Sequence, residues 1–337
     1  MNDMKILENI GSSRFGRTFL ATINNEECAL IIQIKDNTKP LSNQICVYSH
    51  PFLVKTLYVC QDKSKIFYLF RQIKGIPFLD FMQNRRESHD LSPKNLEEVM
   101  KFYMAQIFSA LECLERWGHV ERAFKPDDIM ITEEGNVCMT IMYDLESEMD
   151  LSFDLASPIY LPPETSNREE TLQSLKDNTE NNSETIQNLT KNDRKAIWWS
   201  LGVFMFVCLT GKQPLNENDR KKIKVKYPNN LSSECRDLLK QLMEKDVDKR
   251  LSTIPDLKKH PFFAQVDWDT IHQIEQEIHK PPMKPTPTEI ERFTAIRKAK
   301  FNIQQSETPS NEPSNLVAPD AHSGLSPGFS TFTKDKT

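Results

Sequence analysis

The sequence predicts an α+β chain with two lobes, a small lobe of antiparallel strands and a larger, mainly helical one. Residues 4–75 contain short apolar, β-prone runs that are separated by Asn, Asp and Lys turns. Residues 96–117 then repeat apolar side chains at the spacing of a helix. Residues 198–209 are apolar nearly all round, which is typical of a helix at the centre of a lobe. A strand-rich part therefore precedes a helix-rich part.

The small lobe is predicted from strand-like runs at residues 18–23, 29–34 and 65–73. These runs are rich in β-branched and aromatic residues, which favour the half-buried surface of a sheet. Polar turn residues lie between them, so the strands are expected to fold back on one another. We place this lobe at residues 1–75.

The large lobe is predicted from one hairpin and several helices. Its long helix follows a Ser92-Pro93 start signal. Strands at residues 129–132 and 137–142 are joined by a Glu-Glu-Gly-Asn turn, which is typical of a hairpin. Further helices are expected at residues 232–245 and 254–260.

Two polar segments interrupt or follow this lobe. The stretch from about residue 165 to 195 (165–195) is rich in Asn, Glu, Ser, Thr and Lys, which predicts a solvated loop or disordered insertion. Prolines become frequent beyond Lys280, and residues 304–337 are rich in Ser, Pro, Asn and Thr. We therefore assign residues 76–263 to the large lobe and residues 264–337 to a tail that is disordered from about residue 304.

Charge and cysteine content narrow the class of protein. The 337 residues carry a net charge of −5 at pH 7, with no basic excess for nucleic acid. Seven cysteines are widely spaced without a C-x-x-C pair, so we expect reduced thiols rather than a zinc or redox site. The N-terminus lacks the apolar segment of a signal peptide, and the longest apolar run, residues 201–209, is too short to cross a bilayer. We expect a cytoplasmic or nuclear protein that binds neither nucleic acid nor membrane.

Four motifs occur in an order that points to one family. The sequence reads GSSRFG at residues 11–16, a degenerate glycine-rich loop, and RAFKPDDI at residues 122–129. It continues with YLPPE at residues 160–164 and WWSLGV at residues 198–203. The last three resemble the catalytic loop, the A-P-E segment and the central helix of protein kinases. The resemblance implies a two-lobed protein-kinase-like fold.

The end of the domain resembles one branch of that family. KRL at residues 249–251, HPFF at residues 260–263 and PPMKP at residues 281–285 are similar to the end of an AGC serine/threonine kinase domain of the cAMP-dependent kinase type, running into its C-terminal tail. The resemblance covers about residues 8–303. It implies an AGC-type tail after the large lobe.

The resemblance also implies that the phosphate-binding positions are degenerate. Gly11 and Gly16 remain in the loop that covers the ATP phosphates, but Ile31 occupies the position of the strand lysine that binds them. Lys35 shares the strand face of Ile31 but lies roughly 13 Å further along, too far to replace that lysine. No glutamate occurs between Lys35 and His50 to pair with it. The family's lysine–glutamate pair is thus missing on both sides.

The catalytic positions are degenerate in the same way. Ala123 replaces the aspartate that accepts the substrate hydroxyl proton, and Ile141 replaces the D-F-G aspartate that binds Mg²⁺. Asp128 stands for the metal-binding asparagine and still offers oxygen ligands, while Lys125 can contact a phosphate. Asp144 can replace Ile141 only after a three-residue strand slip, which would invert the side-chain facing. We therefore expect no catalytic residue and no bound metal.

Two further features follow from the resemblance. Glu164 and Arg250 match a buried ion pair of the large lobe. In the tail, Phe329, Phe332 and Thr333 resemble the AGC hydrophobic motif, in which two aromatic side chains dock on the small lobe and the next Ser or Thr can be phosphorylated.

The nucleotide pocket is expected to be unusually apolar. Phe70 lies at the gatekeeper position, and Ile31 with Met142 makes the pocket floor more apolar than in an active kinase. We expect a pseudokinase without a cofactor, a non-catalytic scaffold or allosteric regulator whose partners are proteins such as an active kinase or a regulatory subunit. The alternatives are a weakly active or atypical ATP-dependent serine/threonine kinase, and a nucleotide-sensing module. The residual positions for ATP and Mg²⁺ are Gly11, Gly16, Lys125 and Asp128. A weakly active kinase would need a relocated carboxylate that reaches the phosphates, for which only Asp128 and Asp144 are candidates.

Overall fold

The fold is two-lobed, as the sequence predicts. The computed structural model describes residues 4–13, 16–34, 49–61, 64–88, 92–117, 126–140, 158–167, 183–214, 225–273 and 280–296. An antiparallel sheet forms the small lobe, and helices with a second, three-stranded sheet form the large lobe. The α+β prediction is therefore confirmed.

The small lobe contains a five-stranded antiparallel sheet in the order β1-β2-β3-β5-β4. Its strands are β1 (Lys5–Ser13), β2 (Gly16–Ile23), β3 (Glu26–Ile34), β4 (Thr56–Gln61) and β5 (Lys65–Arg71). Asn24 and Asn25 join β2 to β3 with positive φ angles of 52° and 65°. Asparagine tolerates this left-handed conformation, which matches the twist of a two-residue hairpin. One face of the sheet buries a cluster that includes Phe19, Leu30 and Leu69.

The large lobe is built from six helices and three strands in the described ranges. The strands are β6 (Gly75–Pro77), β7 (Ile129–Thr132) and β8 (Val137–Met139), and the helices are α1 (Phe78–Glu87), α2 (Pro93–Arg116), α3 (Ser183–Thr210), α4 (Ser233–Leu242), α5 (Ile254–Lys258) and α6 (residues 287–296). Aromatic side chains fill the space between α2 and α3. The rings of Phe108 and Trp198 stack 5.7 Å apart, and Phe263 meets Phe108 edge-on at 5.8 Å.

The predicted start of the long helix is present at Ser92 and Pro93. The Ser92 hydroxyl accepts a hydrogen bond from the Asn95 N–H at 3.2 Å, and Pro93 occupies the first turn. This arrangement satisfies one of the backbone donors that a helix leaves open at its start.

A short extended segment joins the two lobes. The Met139 N–H donates to the Phe52 carbonyl at 2.8 Å, and the Val54 N–H donates to the Met139 carbonyl at 2.9 Å. Leu53 thereby forms a parallel bridge with Met139 of β8. The chain between β3 and β4 is thus hydrogen-bonded to the sheet of the large lobe, which holds the lobes together at their interface.

The predicted irregular insertion needs a correction. Helix α3 begins at Ser183, so residues 183–195 are helical, and residues 168–182 lie outside the described residues. Ala196 onwards is buried in the core. Once that packing has nucleated the helix, each further residue adds a hydrogen bond at a small cost in free energy. The helix therefore extends through Glu, Gln, Leu, Lys and Arg, which are good helix formers. The second hairpin strand is also shorter than predicted, since β8 is Val137–Met139.

Gly211 terminates α3 with a backbone angle that only glycine adopts freely. Its φ is +69°, and a Cβ there would lie 2.5 Å from the guanidinium carbon of Arg86. Arg86 Nη1 donates to the Val207 carbonyl at 3.1 Å, one of the last acceptors of α3. The glycine therefore makes room for the arginine that caps the helix.

Replacing Gly211 with alanine should lower the free energy of unfolding by about 1–3 kcal/mol, because left-handed strain adds to displacement of Arg86. Urea denaturation of Gly211→Ala and of the neighbouring Lys212→Ala control would measure the difference. Equal midpoints for both variants and the parent chain would contradict this account of the helix end.

None of the helices in the described part of the chain combines the length and apolar content that crossing a bilayer requires.

Candidate functional site

The strand position that matters most for phosphate binding carries a buried apolar side chain. Ile31 of β3 is 9% exposed and packs with Phe70 of β5, which is 7% exposed. Facing alternates along a strand, so both lie on the opposite side of the sheet from Leu30 and Leu69. Ala29 packs against the same pair. Ile31 and Phe70, which the sequence placed at the lysine and gatekeeper positions, are therefore in one cluster.

Two residues that the sequence did not single out complete this apolar cluster. Tyr68 lies opposite Ile31 in the β3–β5 register and stacks on Phe70 with ring centroids 6.4 Å apart. Its hydroxyl donates to Gln33 Oε1 at 3.1 Å. Val54, whose backbone is bonded to β8, packs against the cluster from the lobe joint. Strand alternation was the signal that could have found Tyr68, since it shares a facing with Phe70.

The backbone of Asp128 is hydrogen-bonded to Thr140. Asp128 ends the short 3-10 turn Pro126–Asp128, and its carbonyl accepts hydrogen bonds from the Thr140 N–H at 2.7 Å and from Thr140 Oγ1 at 3.2 Å. Thr140 directly precedes Ile141. Position 128 therefore lies next to the residue before position 141, the two places at which kinases bind metal.

Several predicted site residues lie outside the described residues. They are Ala123, Lys125, Ile141, Met142, Asp144, Lys35, Phe329, Phe332 and Thr333. In the part of the chain that the structure describes, no group of three His, Cys, Asp or Glu side chains is arranged to hold a metal ion.

The degenerate glycine-rich loop lies between β1 and β2. Gly11 pairs with Thr18, and Ser13 pairs with Gly16, so the strands continue to the edge of the turn. The register shifts between Asn9 and Gly11. Such an irregularity bends an edge strand near its end. Gly11 and Gly16 are thus both in the hairpin that covers nucleotide phosphates in kinases.

Glu164 and Arg250 form a bidentate ion pair in the large lobe. Arg250 Nη1 donates to Glu164 Oε1 at 2.7 Å, and Nη2 donates to Oε2 at 3.0 Å. The arginine side chain is fully buried, while the glutamate is 17% exposed. Arg250 also donates to the Glu244 carbonyl and lies over the Trp199 ring at 5.3 Å. All three nitrogen atoms of this buried guanidinium therefore donate hydrogen bonds to protein groups.

A buried amide network holds the hairpin that follows Asp128. Gln106 Nε2 of α2 donates to Asn136 Oδ1 at 2.8 Å, and the Val137 N–H donates to Gln106 Oε1 at 2.8 Å. Gln106 is fully buried. The sequence gives no sign of this pair, because a single polar residue on a long apolar helix does not reveal its partner.

His50 occupies the joint between the lobes. Its Nδ1 accepts from the Phe52 N–H at 3.3 Å, and its Nε2 lies 3.3 Å from Ser109 Oγ of α2. Burial, together with the positive charges of His272 and Arg116, lowers the pKa of His50 to about 4, while the negative charge of Glu112 acts in the opposite direction. The ring is therefore neutral at pH 7, with a lone pair free to accept from the backbone.

Sequence comparisons agree with the motif order. A protein kinase domain model matches residues 4–263. The ribosomal protein S6 kinase alpha-3 of Mus musculus is 29% identical over 314 residues, which cover 84% of this chain and 38% of that protein. The ribosomal protein S6 kinase alpha-2 of Homo sapiens is 28% identical, with the same coverage. Protein kinase 2 of Dictyostelium discoideum is 27% identical over 88% of this chain and 60% of its own length.

The relatives are longer than this chain, which spans 38% of the S6 kinases that it matches. The match to the protein kinase domain model does not depend on the lengths of these relatives, because it compares residues 4–263 with the domain alone. It covers both lobes, including the cluster around Ile31 and the Glu164–Arg250 pair. Since this match spans well over half of the residues, the chain belongs to the protein kinase domain family.

Proposed function

We propose that this chain is a pseudokinase of the AGC type, acting as a non-catalytic scaffold or allosteric regulator in protein kinase signalling. The observation that carries the proposal is the burial of Ile31 in an apolar cluster. An active kinase needs a cation at this position to bind the α- and β-phosphates. An isoleucine side chain has no donor, and Phe70 and Tyr68 pack beside it where a cation would have to be desolvated.

The sequence of the catalytic segments supports the same conclusion. Ala123 leaves no carboxylate to accept a proton, and Ile141 leaves none to bridge the phosphates through Mg²⁺. Loss of a general base alone costs about 10²- to 10⁴-fold in rate. The lysine and metal losses act on the same transition-state charge, so a measurable turnover is not expected even without assuming that the losses add.

The cofactor proposal follows from these positions. Protein kinases use ATP with Mg²⁺, and here Gly11, Gly16, Lys125 and Asp128 remain as residual contacts. Backbone N–H groups of the glycine-rich loop could still approach phosphates, but the apolar cluster offers the nucleotide no charge partner. We propose that the chain works without a bound cofactor.

The partners are proposed to be proteins, namely an active kinase or a regulatory subunit, in the cytoplasm or nucleus. What the described structure retains supports this: backbone hydrogen bonds at Met139 link the two lobes, and the buried Glu164–Arg250 pair holds the large lobe together. A surface of that shape can be recognised by proteins that bind kinases, although it lacks the chemistry.

A weakly active or atypical kinase is the second candidate function, and one observation favours it. The backbone carbonyl of Asp128 is hydrogen-bonded to Thr140, the residue before the D-F-G position, so a residue with a carboxylate remains in the segment that binds metal in the family. The alternative requires a second carboxylate from outside the described residues.

Purified chain incubated with radiolabelled ATP, Mg²⁺ or Mn²⁺ and a basic peptide should transfer no label above a protein-free blank. Label that disappears in Asp128→Ala or Asp144→Ala would overturn the proposal and establish the second candidate. Asp128→Asn, which restores the family's residue, is the matched control, because it should change nothing in a pseudokinase.

ATP binding should be tested separately by thermal denaturation with and without Mg²⁺. A conventional site at a ligand concentration of 100 Kd would add about 2.7 kcal/mol of stability, a shift of several degrees. We expect no shift. A Mg²⁺-dependent rise in Tm without phosphoryl transfer would replace the cofactor-free proposal with a nucleotide-sensing module.

A further inference from the structure

An arginine of the large lobe binds the segment that follows it in the tail. Arg85 of α1 donates from Nη1 to Glu289 Oε1 at 2.8 Å and from Nη2 to Oε2 at 2.9 Å. Nη2 also reaches the Lys284 carbonyl at 3.3 Å, and the guanidinium lies 4.6 Å from the centre of the Phe81 ring. Arg85 and Glu289 are only 16% and 20% exposed. The guanidinium is thus fixed in place, with its two parallel N–H groups directed at one carboxylate.

The same carboxylate binds a threonine that is exposed at the start of α6. Thr286 donates from its backbone N–H to Glu289 Oε2 at 2.8 Å and from its hydroxyl to the same atom at 3.0 Å. The Glu289 N–H returns a bond to Thr286 Oγ1 at 3.2 Å, which completes a capping box. A single oxygen atom therefore separates the Thr286 hydroxyl from Nη2 of Arg85.

Thr286 is also followed by a proline, and both residues are exposed. One class of protein kinases modifies Ser or Thr only where proline comes next. The chain contains five such dipeptides, beginning at Ser92, Ser157, Thr286, Thr308 and Ser326. Of these residues, the structure describes Thr286 and Ser92. Thr286 differs from Ser92 because its hydroxyl and the Arg85 guanidinium bind the same oxygen atom of Glu289.

We propose that Thr286 is a phosphorylation site for a proline-directed protein kinase and that the phosphate replaces Glu289 as the partner of Arg85. The step needs ATP and a kinase acting in trans. The Thr286 Oγ–Pγ bond forms as the bond between Pγ and the β,γ-bridging oxygen breaks, ADP leaves, and the hydroxyl proton passes to the base of the modifying kinase. Thr286 is exposed, so breaking the bond between its hydroxyl and Glu289 gives the modifying kinase access to the hydroxyl.

Charge explains why the phosphate should take over the arginine. A phosphothreonine carries −1.5 to −2 charges near neutral pH and three acceptor oxygens, whereas Glu289 carries one charge. Its terminal oxygens extend two bonds beyond Oγ1, into the space where Glu289 Oε2 now lies. The two anions repel each other, so the carboxylate leaves the guanidinium and the phosphate forms the bidentate contact. The helix start keeps an anion throughout, which its exposed N–H groups favour.

The modification is tested on the full chain with a purified proline-directed kinase, ATP and site-resolved mass spectrometry. We expect phosphate at Thr286, and we expect it to be lost in Thr286→Ala and in Pro287→Ala. Thr288→Ala is the control and should not change the phosphorylation, because Thr288 is followed by a glutamate and not by a proline. Absence of phosphate at Thr286, while a Ser-Pro peptide in the same tube is fully modified, would overturn the proposal.

The exchange of partners is tested by hydrogen exchange over residues 286–296. In the unmodified chain, Glu289→Gln should accelerate exchange by about tenfold, because Arg85 loses its carboxylate. In the phosphorylated chain the same substitution should change little, while Arg85→Met should accelerate exchange in both forms. Equal acceleration by Glu289→Gln in both forms would show that the phosphate does not bind Arg85.

Discussion

Replacing Arg250 with alanine should lower the free energy of unfolding by about 3–5 kcal/mol, the range for breaking one side of a buried ion pair. The arginine side chain is fully buried, and its loss leaves Glu164 and the Glu244 carbonyl without their donor. It also removes the cation from the face of Trp199. Urea denaturation monitored by tryptophan fluorescence and by circular dichroism measures the change.

Two variants make this prediction sharper. Glu164→Gln keeps the size of the side chain but leaves the guanidinium without a counter-charge, so it should also destabilise the chain. The double variant, Arg250→Ala with Glu164→Gln, should lose less free energy of unfolding than the sum of the two single losses. Lys249→Ala removes an exposed neighbouring cation that pairs with Asp246 and should leave the melting curve unchanged. An unaltered curve for Arg250→Ala would refute the role assigned to the pair.

Acidification should destabilise the chain through His50. Burial lowers the folded-state pKa of His50 to about 4, whereas an unfolded histidine titrates near 6.5. Between these values the unfolded chain binds more protons than the folded one, so stability falls as pH falls from about 6.5 to about 4 and is constant above. The loss attributable to His50 should be about 3 kcal/mol at pH 4. A proton on Nδ1 would also abolish its bond with the Phe52 N–H at the lobe joint.

The matched variant for this experiment is His50→Gln, whose amide oxygen can accept from the Phe52 N–H without titrating. Urea midpoints measured from pH 7.5 to pH 4 should fall less steeply for His50→Gln than for the parent chain. Parallel pH profiles would show that His50 does not carry the acid sensitivity and that other groups do.

Much of the fold was predictable because its signals are local. Runs of apolar, β-prone residues indicated β3 and β5, and the Ser92-Pro93 start signal located the first turn of α2. The prediction for the insertion at residues 165–195 was wrong in part because it used local signals alone. Its polar composition indicates no apolar face, yet residues 183–195 continue a helix that is nucleated by the buried residues after them.

The candidate site was predictable only where motif order supplied the positions. Ile31 and Phe70 were assigned to the nucleotide pocket through resemblance, and the structure places both in one apolar cluster. Tyr68, Val54 and the partners of Gln106 were not foreseen, because a sequence pattern identifies a buried face without identifying what covers it.

By itself, the sequence determined the succession of strands and helices and the kinase-like order of motifs, and by resemblance it predicted apolar residues at the catalytic positions. Only the tertiary structure decided that Ile31 is enclosed by aromatic neighbours, that His50 lies at the lobe joint and that Arg85 binds a glutamate 204 residues away. Propensity and periodicity act over a few residues and are written in the chain order. Ion pairs and buried hydrogen bonds between distant residues exist only after packing has desolvated both partners.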